Sequence, residues 1–322
     1  MTVISAMKFN KKEGAIVADE QSSNTGTLRK QDLATKVHVL ESKEQGVLGI
    51  MGGSGASDVL YDTYLTVQEC LAVNQGKIKS KNELTTVIGK MMSNVKRKYI
   101  NGYLQNLFGL SETEFLMGYK INPDETKTPI HESWMQRYSR IISGSSEEQL
   151  TGFLNNVFLI LASDAQGVEL YYASMALANA YPISRPYEAI GSGSDMADSE
   201  LYSFFESLPR EERDHIPPVK GIAALLTATD KASTRNIGVG GTPFIYIVKD
   251  GKILPSPHEN NTRLAVEIVR GTRKGYLSPD FELSALNTLV YEGGDFKSVE
   301  KEMWKESKNP DQLSLLLRSY KV

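Results

Sequence analysis

Threonine stands at position 2, directly after the initiator Met1. A small side chain there permits removal of Met1, leaving a first residue that carries a hydroxyl and an α-amine together. An α-amino group ordinarily titrates at ~7.7–8.0, near working pH, so it can act as a general base toward that hydroxyl. Nucleophile and base on one residue are the starting equipment for acyl transfer. Few other residues compete for a chemical role. The four histidines, His38, His131, His215 and His258, are far apart and show no metal-ligand spacing. The single cysteine, Cys70, lies in an apolar helical stretch and reads as a small buried hydrophobe; alone, it can form neither an intrachain disulfide nor a cysteine metal cluster. There is no GxSxG elbow and no GxxxxGK[ST] loop, and neither a metal nor a cofactor is expected.

The elements that must position Thr2 follow from the pattern. Thr2–Phe9 reads as a strand, 10–14 as a charged turn, and Gly14–Asp19 as a buried strand. Lys36–Leu40 and Gly46–Met51 form a further pair, then a glycine-rich turn, Gly52–Ser57, leads into helices over Asp58–Val73 and Asn82–Phe108. Residues 109–149 are polar and read as an insertion with one short helix over Trp134–Ile142. Strands resume at Phe153–Ala162, Glu169–Met175 and Tyr187–Ile190, followed by helices over Met196–Leu208 and Val219–Ser233. Pro243–Val248 and Lys252–Leu254 form a hairpin around Lys249-Asp-Gly251. The rest is mostly helical. Strand groups alternating with helix pairs suggest an α+β fold, two sheets packed together with helices outside, a four-layer αββα sandwich; periodicity equally allows three layers.

Composition sets the surroundings. With 322 residues, 40% of them hydrophobic, the chain can bury a sizeable core, which excludes wholesale disorder. A net charge of −3 gives no push toward nucleic acid or an anionic membrane, and the basic run Lys90–Lys98 reads as a solvated helix face. Charge arrives too early for a signal peptide and no apolar run is long enough to span a bilayer, so a cytoplasmic location is expected.

Read in order, these segments resemble the β-type subunits of the proteasome family, including the peptidase of the bacterial two-component ATP-dependent protease. Five segments carry the resemblance: Gly14-Ala-Ile-Val-Ala-Asp19, Thr35-Lys36-Val-His-Val-Leu40, Met51-Gly-Gly-Ser-Gly-Ala-Ser-Asp58, Tyr187-Glu-Ala-Ile-Gly-Ser192-Gly-Ser-Asp195, and Asp230-Lys-Ala-Ser233 followed by Gly240-Gly241. It covers about 2–110 and 150–275. It implies an N-terminal-nucleophile hydrolase domain over 1–275, with 109–149 inserted and 276–322 as a helical extension.

The resemblance also implies roles. Thr2 would be the nucleophile, with Lys36 beside it favouring the alkoxide and lowering the amine's pKa by like-charge repulsion. Asp19 would balance Lys36, because a buried lysine without an anion is expensive. Ser192 and Asp230 would bond the Thr2 amine, with Ser233 supporting. The N–H of Gly52, or of Gly53, would hold the oxyanion. Ser23 would pair a bound peptide as an added strand, and Met51 or Ile50 would face the first specificity pocket. The expected activity is threonine endopeptidase on polypeptides, in a homo-oligomeric ring that an ATP-dependent unfoldase could feed. Two alternatives stand beside it: an N-terminal-Thr amidase or transpeptidase with one specific substrate, and a catalytically silent ring scaffold.

Overall fold

The computed structural model describes residues 2–20, 22–24, 29–31, 36–42, 46–74, 76–142, 154–235 and 239–317. Its centre is two five-stranded sheets. The first takes β1 (Ile4–Lys8), β2 (Glu13–Ala18), β12 (Tyr187–Ile190), β13 (Phe244–Lys249) and β14 (Lys252–Ile253) in the order β12-β1-β2-β13-β14. The second takes β5 (Val37–Ser42), β6 (Val47–Ser54), β9 (Val157–Asp164), β10 (Gly167–Ser174) and β11 (Asn179–Pro182) in the order β11-β10-β9-β6-β5. Every pairing in both sheets is antiparallel.

Strand alternation sorts the side chains into layers. Ile16 and Ala18 of β2 meet Leu159 and Leu161 of β9 in an apolar cluster between the sheets. Their neighbours Ala15 and Val17 point the other way, into a cluster with α5 (Ser194–Ser207), α6 (Pro218–Arg235) and α7 (Glu259–Arg273). Phe158 and Ile160 of β9 pack likewise onto α1 (Ser57–Val73) and α2 (Lys81–Phe108). Being covered on both faces is why β2 is apolar from Gly14 to Ala18 instead of alternating with polar residues. The sheets come very close at Gly52, where an added Cβ would lie 2.9 Å from Ile4 Cγ2. In the first sheet both neighbours of β1 end beside Thr2, with Ala18 and Ile190 each in register with Ile4.

The helix ends carry their own signals. Ser80 caps α2 by accepting the Glu83 N–H, and Gly109 closes it at φ 66°. Within the stretch read as an insertion lie α3 (Glu112–Met117), a small hairpin of β7 (Tyr119–Ile121) and β8 (Lys127–Pro129), and α4 (Glu132–Ile142). Phe115, Tyr138 and Ile141 join the apolar cluster of α1 and α2. Beyond α7 come α8 (Pro279–Leu286), a π-helical turn at Asn287–Tyr291, α9 (Phe296–Glu306) and α10 (Pro310–Leu316), whose Leu286, Met303 and Leu313 enter the cluster of α5 to α7. Among the described residues no helix is long and apolar enough to cross a membrane.

Candidate active site

Thr2 sits one residue before the buried Val3, at the head of β1, and its surroundings follow from the sheet order. On one side β1 pairs with β12, so the turn after Ile190 runs past Thr2. The Thr2 N–H donates to Ser192 Oγ at 3.1 Å, and the Gly193 N–H donates to the Thr2 carbonyl at 3.1 Å. Gly191 has φ 101°, and a Cβ there would lie 2.2 Å from the Thr2 carbonyl oxygen, so conformation and space both demand glycine.

On the other side β1 pairs with β2, whose end delivers Asp19. The Asp19 N–H donates to the Val3 carbonyl at 3.1 Å, and the Val3 N–H donates to Asp19 Oδ1 at 2.8 Å. The same Oδ1 accepts from Lys36 Nζ at 2.7 Å, while Oδ2 accepts the Gly240 N–H at 3.3 Å. Lys36 enters from the opposite sheet, at the start of β5, so this ion pair ties the two sheets together beside Thr2. Asp19 is 1% exposed and Lys36 9%. Burial, the largest influence, pushes the Asp19 carboxyl up and the Lys36 ammonium down from their ordinary values, each opposed by the attraction of its partner. An ammonium with a lowered pKa gives up its proton more readily than a surface lysine does.

The structure thus brings Thr2, Asp19, Lys36 and Ser192 together. It places the other expected residues elsewhere. Asp230 lies on α6 with its carboxylate clamped by α7: Arg270 Nε donates to Oδ1 at 2.6 Å and Arg273 Nη2 to Oδ2 at 2.9 Å. Ser233 Oγ bonds back to the Asp230 carbonyl of its own helix at 2.7 Å. Neither bonds to Thr2. Two arginines forty residues downstream compete for Asp230, and no local pattern announced them.

The glycines also differ from expectation. The Gly53 N–H donates to the Lys36 carbonyl at 3.0 Å, so it is not available to an oxyanion. Gly52 is the next residue on a strand paired on both sides, and alternation turns its N–H toward Leu159 of β9, its partner in register. Met51 is 1% exposed and packs with Val59 and Val67 of α1, so it lines the core and no pocket. Ser23 belongs to a short strand, β3 (Ser22–Asn24), paired with β4 (Arg29–Gln31); its side chain lies outside the described residues. Reasoning from the sequence passed over Ser54, whose Oγ lies 3.3 Å from the position a Cβ would take at Gly191. Its place in the glycine-rich segment was the available signal.

No group of three or more His, Cys, Asp or Glu side chains among the described residues is arranged to hold a metal ion. Comparison of the sequence with protein families and with curated proteins gives no match. Solved structures do match. Anbu, described as an ancestral beta-subunit, from Yersinia bercovieri is 15% identical with a TM-score of 0.53, covering 79% of this chain and 86% of that one. The Anbu (Gly-1) mutant from Hyphomicrobium sp. strain MC1 is 10% identical with a TM-score of 0.52, covering 80% and 86%. These findings overturn the assignment to the proteasome β-type and two-component-protease peptidases. The segments behind it mark strand ends and turns common to a broader fold, so they do not single out one branch. What the chain shares, at 10–15% identity, is the proteasome-like α+β fold of the Anbu proteins.

Proposed function

We propose that the chain is an N-terminal-threonine hydrolase that cleaves peptide bonds once Met1 is removed. The observation that carries the reading is the buried Lys36–Asp19 pair, hydrogen-bonded through Oδ1 to the residue next to Thr2, with Ser192 holding Thr2's nitrogen from the other side. In this reading the Thr2 hydroxyl attacks the carbonyl carbon and the Thr2 amine takes its proton, directly or through one water. Lys36 supplies the positive charge that favours the alkoxide, and Asp19 fixes its position. Ser192 Oγ accepts from the amine and aims its lone pair. The reverse proton transfer releases the amine product, and water then frees the acyl group from Thr2.

The oxyanion needs a donor other than Gly52 or Gly53. Just past the end of β6 at Ser54, the next glycine N–H is that of Gly55, at φ 143°, and we assign it that role. One such donor contributes about 2.7–4 kcal/mol to transition-state stabilisation. The helix–sheet–sheet–helix order, a homo-oligomeric ring and feeding by an ATP-dependent unfoldase belong to the same reading, supported by likeness of fold.

The test is intact mass after incubation with a peptide epoxyketone, a reagent that needs both the hydroxyl and a free amine on one residue. A chain starting at Thr2 with one adduct is expected. A chain that retains Met1 and stays unmodified would refute the reading and favour a silent scaffold.

A further inference from the structure

Away from Thr2, the outer surfaces of α5, α6 and α8 bound a cavity of about 480 Å³, within the ~300–1,000 Å³ usual for small-ligand sites. Phe204, Ala223, Ala224 and Leu283 make its walls largely apolar. Three charged side chains reach it. Glu200 of α5 is ion-paired with Lys231, and Lys220 of α6 is ion-paired with Glu212 at 2.9 Å. Glu282 of α8 has no ion pair among the described residues. Burial pushes its carboxyl up to about 7, against the opposite pull of the neighbouring Thr272 hydroxyl. A carboxylate short of a cation, set in an apolar wall, is stabilised by a ligand that brings one.

We propose that this groove binds a primary amine carried on an apolar stem, the ammonium meeting Glu282 while the stem lies against Phe204, Ala223 and Leu283. An alcohol of the same length would bury the same stem but leave the carboxylate uncompensated, and a carboxylic acid would add a like charge. The amine could come from a free alkylamine or from a lysine side chain of a polypeptide. The inference does not depend on the chemistry of Thr2.

The experiment follows the Ala and Leu methyl signals of the full chain by NMR during titration with n-hexylamine, hexan-1-ol and Nα-acetyl-lysine methylamide. The Ala223 and Leu283 methyls should shift, with hexylamine bound at least about 10-fold more tightly than hexan-1-ol. Glu282→Gln should bring the two to within about 2-fold, since the stem contacts remain. Ser203→Trp, at an exposed position on the rim, should weaken both by blocking the groove without touching Glu282. Binding by the lysine derivative as well as by hexylamine points to a polypeptide source, and by hexylamine alone to a free amine. Equal affinity for amine and alcohol in the unmodified chain, a preference that survives Glu282→Gln, or no methyl shifts at all would each overturn the proposal.

Discussion

Replacing Asp19 and Lys36 singly and together asks whether the two are held as a pair. Asp19→Asn keeps an oxygen for the Val3 N–H but leaves the Lys36 ammonium almost without water and without its anion. The chain can escape by deprotonating Lys36, and near pH 7.5 taking a proton from a group with an ordinary value of 10.5 costs about 4 kcal/mol. That ceiling falls within the ~3–5 kcal/mol typical of broken buried pairs. Lys36→Met leaves the Asp19 carboxylate buried but still accepting from Val3 and Gly240, so it should cost less, about 3 kcal/mol. The double variant has no buried charge. It loses the ion-pair bond and the Gly240 bond to Oδ2, so a cost of about 1–2 kcal/mol is expected. The coupling is then about 5 kcal/mol, far beyond the ~0.5 kcal/mol scatter of independent sites. Urea unfolding of the four proteins at one pH measures it, and all three variants should fail to form the epoxyketone adduct at temperatures where they remain folded. A coupling below about 1 kcal/mol would show that the two charges do not compensate each other, and the argument for Lys36 beside Thr2 would fall with it.

Gly191→Ala should be tolerated poorly, because φ 101° costs about 1–3 kcal/mol for alanine and the new methyl must displace the Thr2 carbonyl. Its adduct should form slowly or not at all, and labelling at the unmodified rate would refute the placement of that turn. Asp230→Asn should destabilise the fold by up to about 3 kcal/mol, because Arg273 loses its anion and Arg270 keeps only Glu267. Adduct formation in the folded fraction should be unchanged; a rate loss of 100-fold would return Asp230 to the site. Glu282→Gln tests the raised carboxyl through stability. A value raised from 4.5 to about 7 stabilises the folded chain below about pH 4.5, and that advantage is lost as pH rises to 7. The unmodified chain should therefore lose up to about 3 kcal/mol relative to the variant across that window, less to the extent that water reaches the groove. Parallel denaturation curves from pH 4.5 to 8 would refute it.

What the sequence makes legible is what local patterning dictates. Tyr187–Ile190 is a strand with the bounds expected, and the helices expected over Asp58–Val73 and Asn82–Phe108 begin one residue earlier, at Ser57 and Lys81. Apolar runs and caps set those elements. The strand expected over Phe153–Ala162 instead spans Val157–Asp164, because Ser163 and Asp164 remain in register with Val168 and Gly167 of β10, a tertiary fact. The hairpin over Tyr119–Pro129 was missed because each strand is only three residues long, too short for alternation to register.

The candidate site divides along the same line. Asp19 and Ser192 stand at the ends of the two strands that flank β1, so once the order β12-β1-β2 exists their approach to Thr2 is nearly forced. Lys36 reaches the same place because β5 starts where the two sheets meet. Asp230 had no such constraint: from a helix it could face several neighbours, and the competing cations of α7 take it. For the glycines, residue type was the wrong variable. Glycine lets a backbone approach closely, but the direction of an N–H alternates along a strand, so a shift of one residue turns it from a ligand toward a ladder partner. At Gly52 the small residue serves the contact with Ile4 across the sheets.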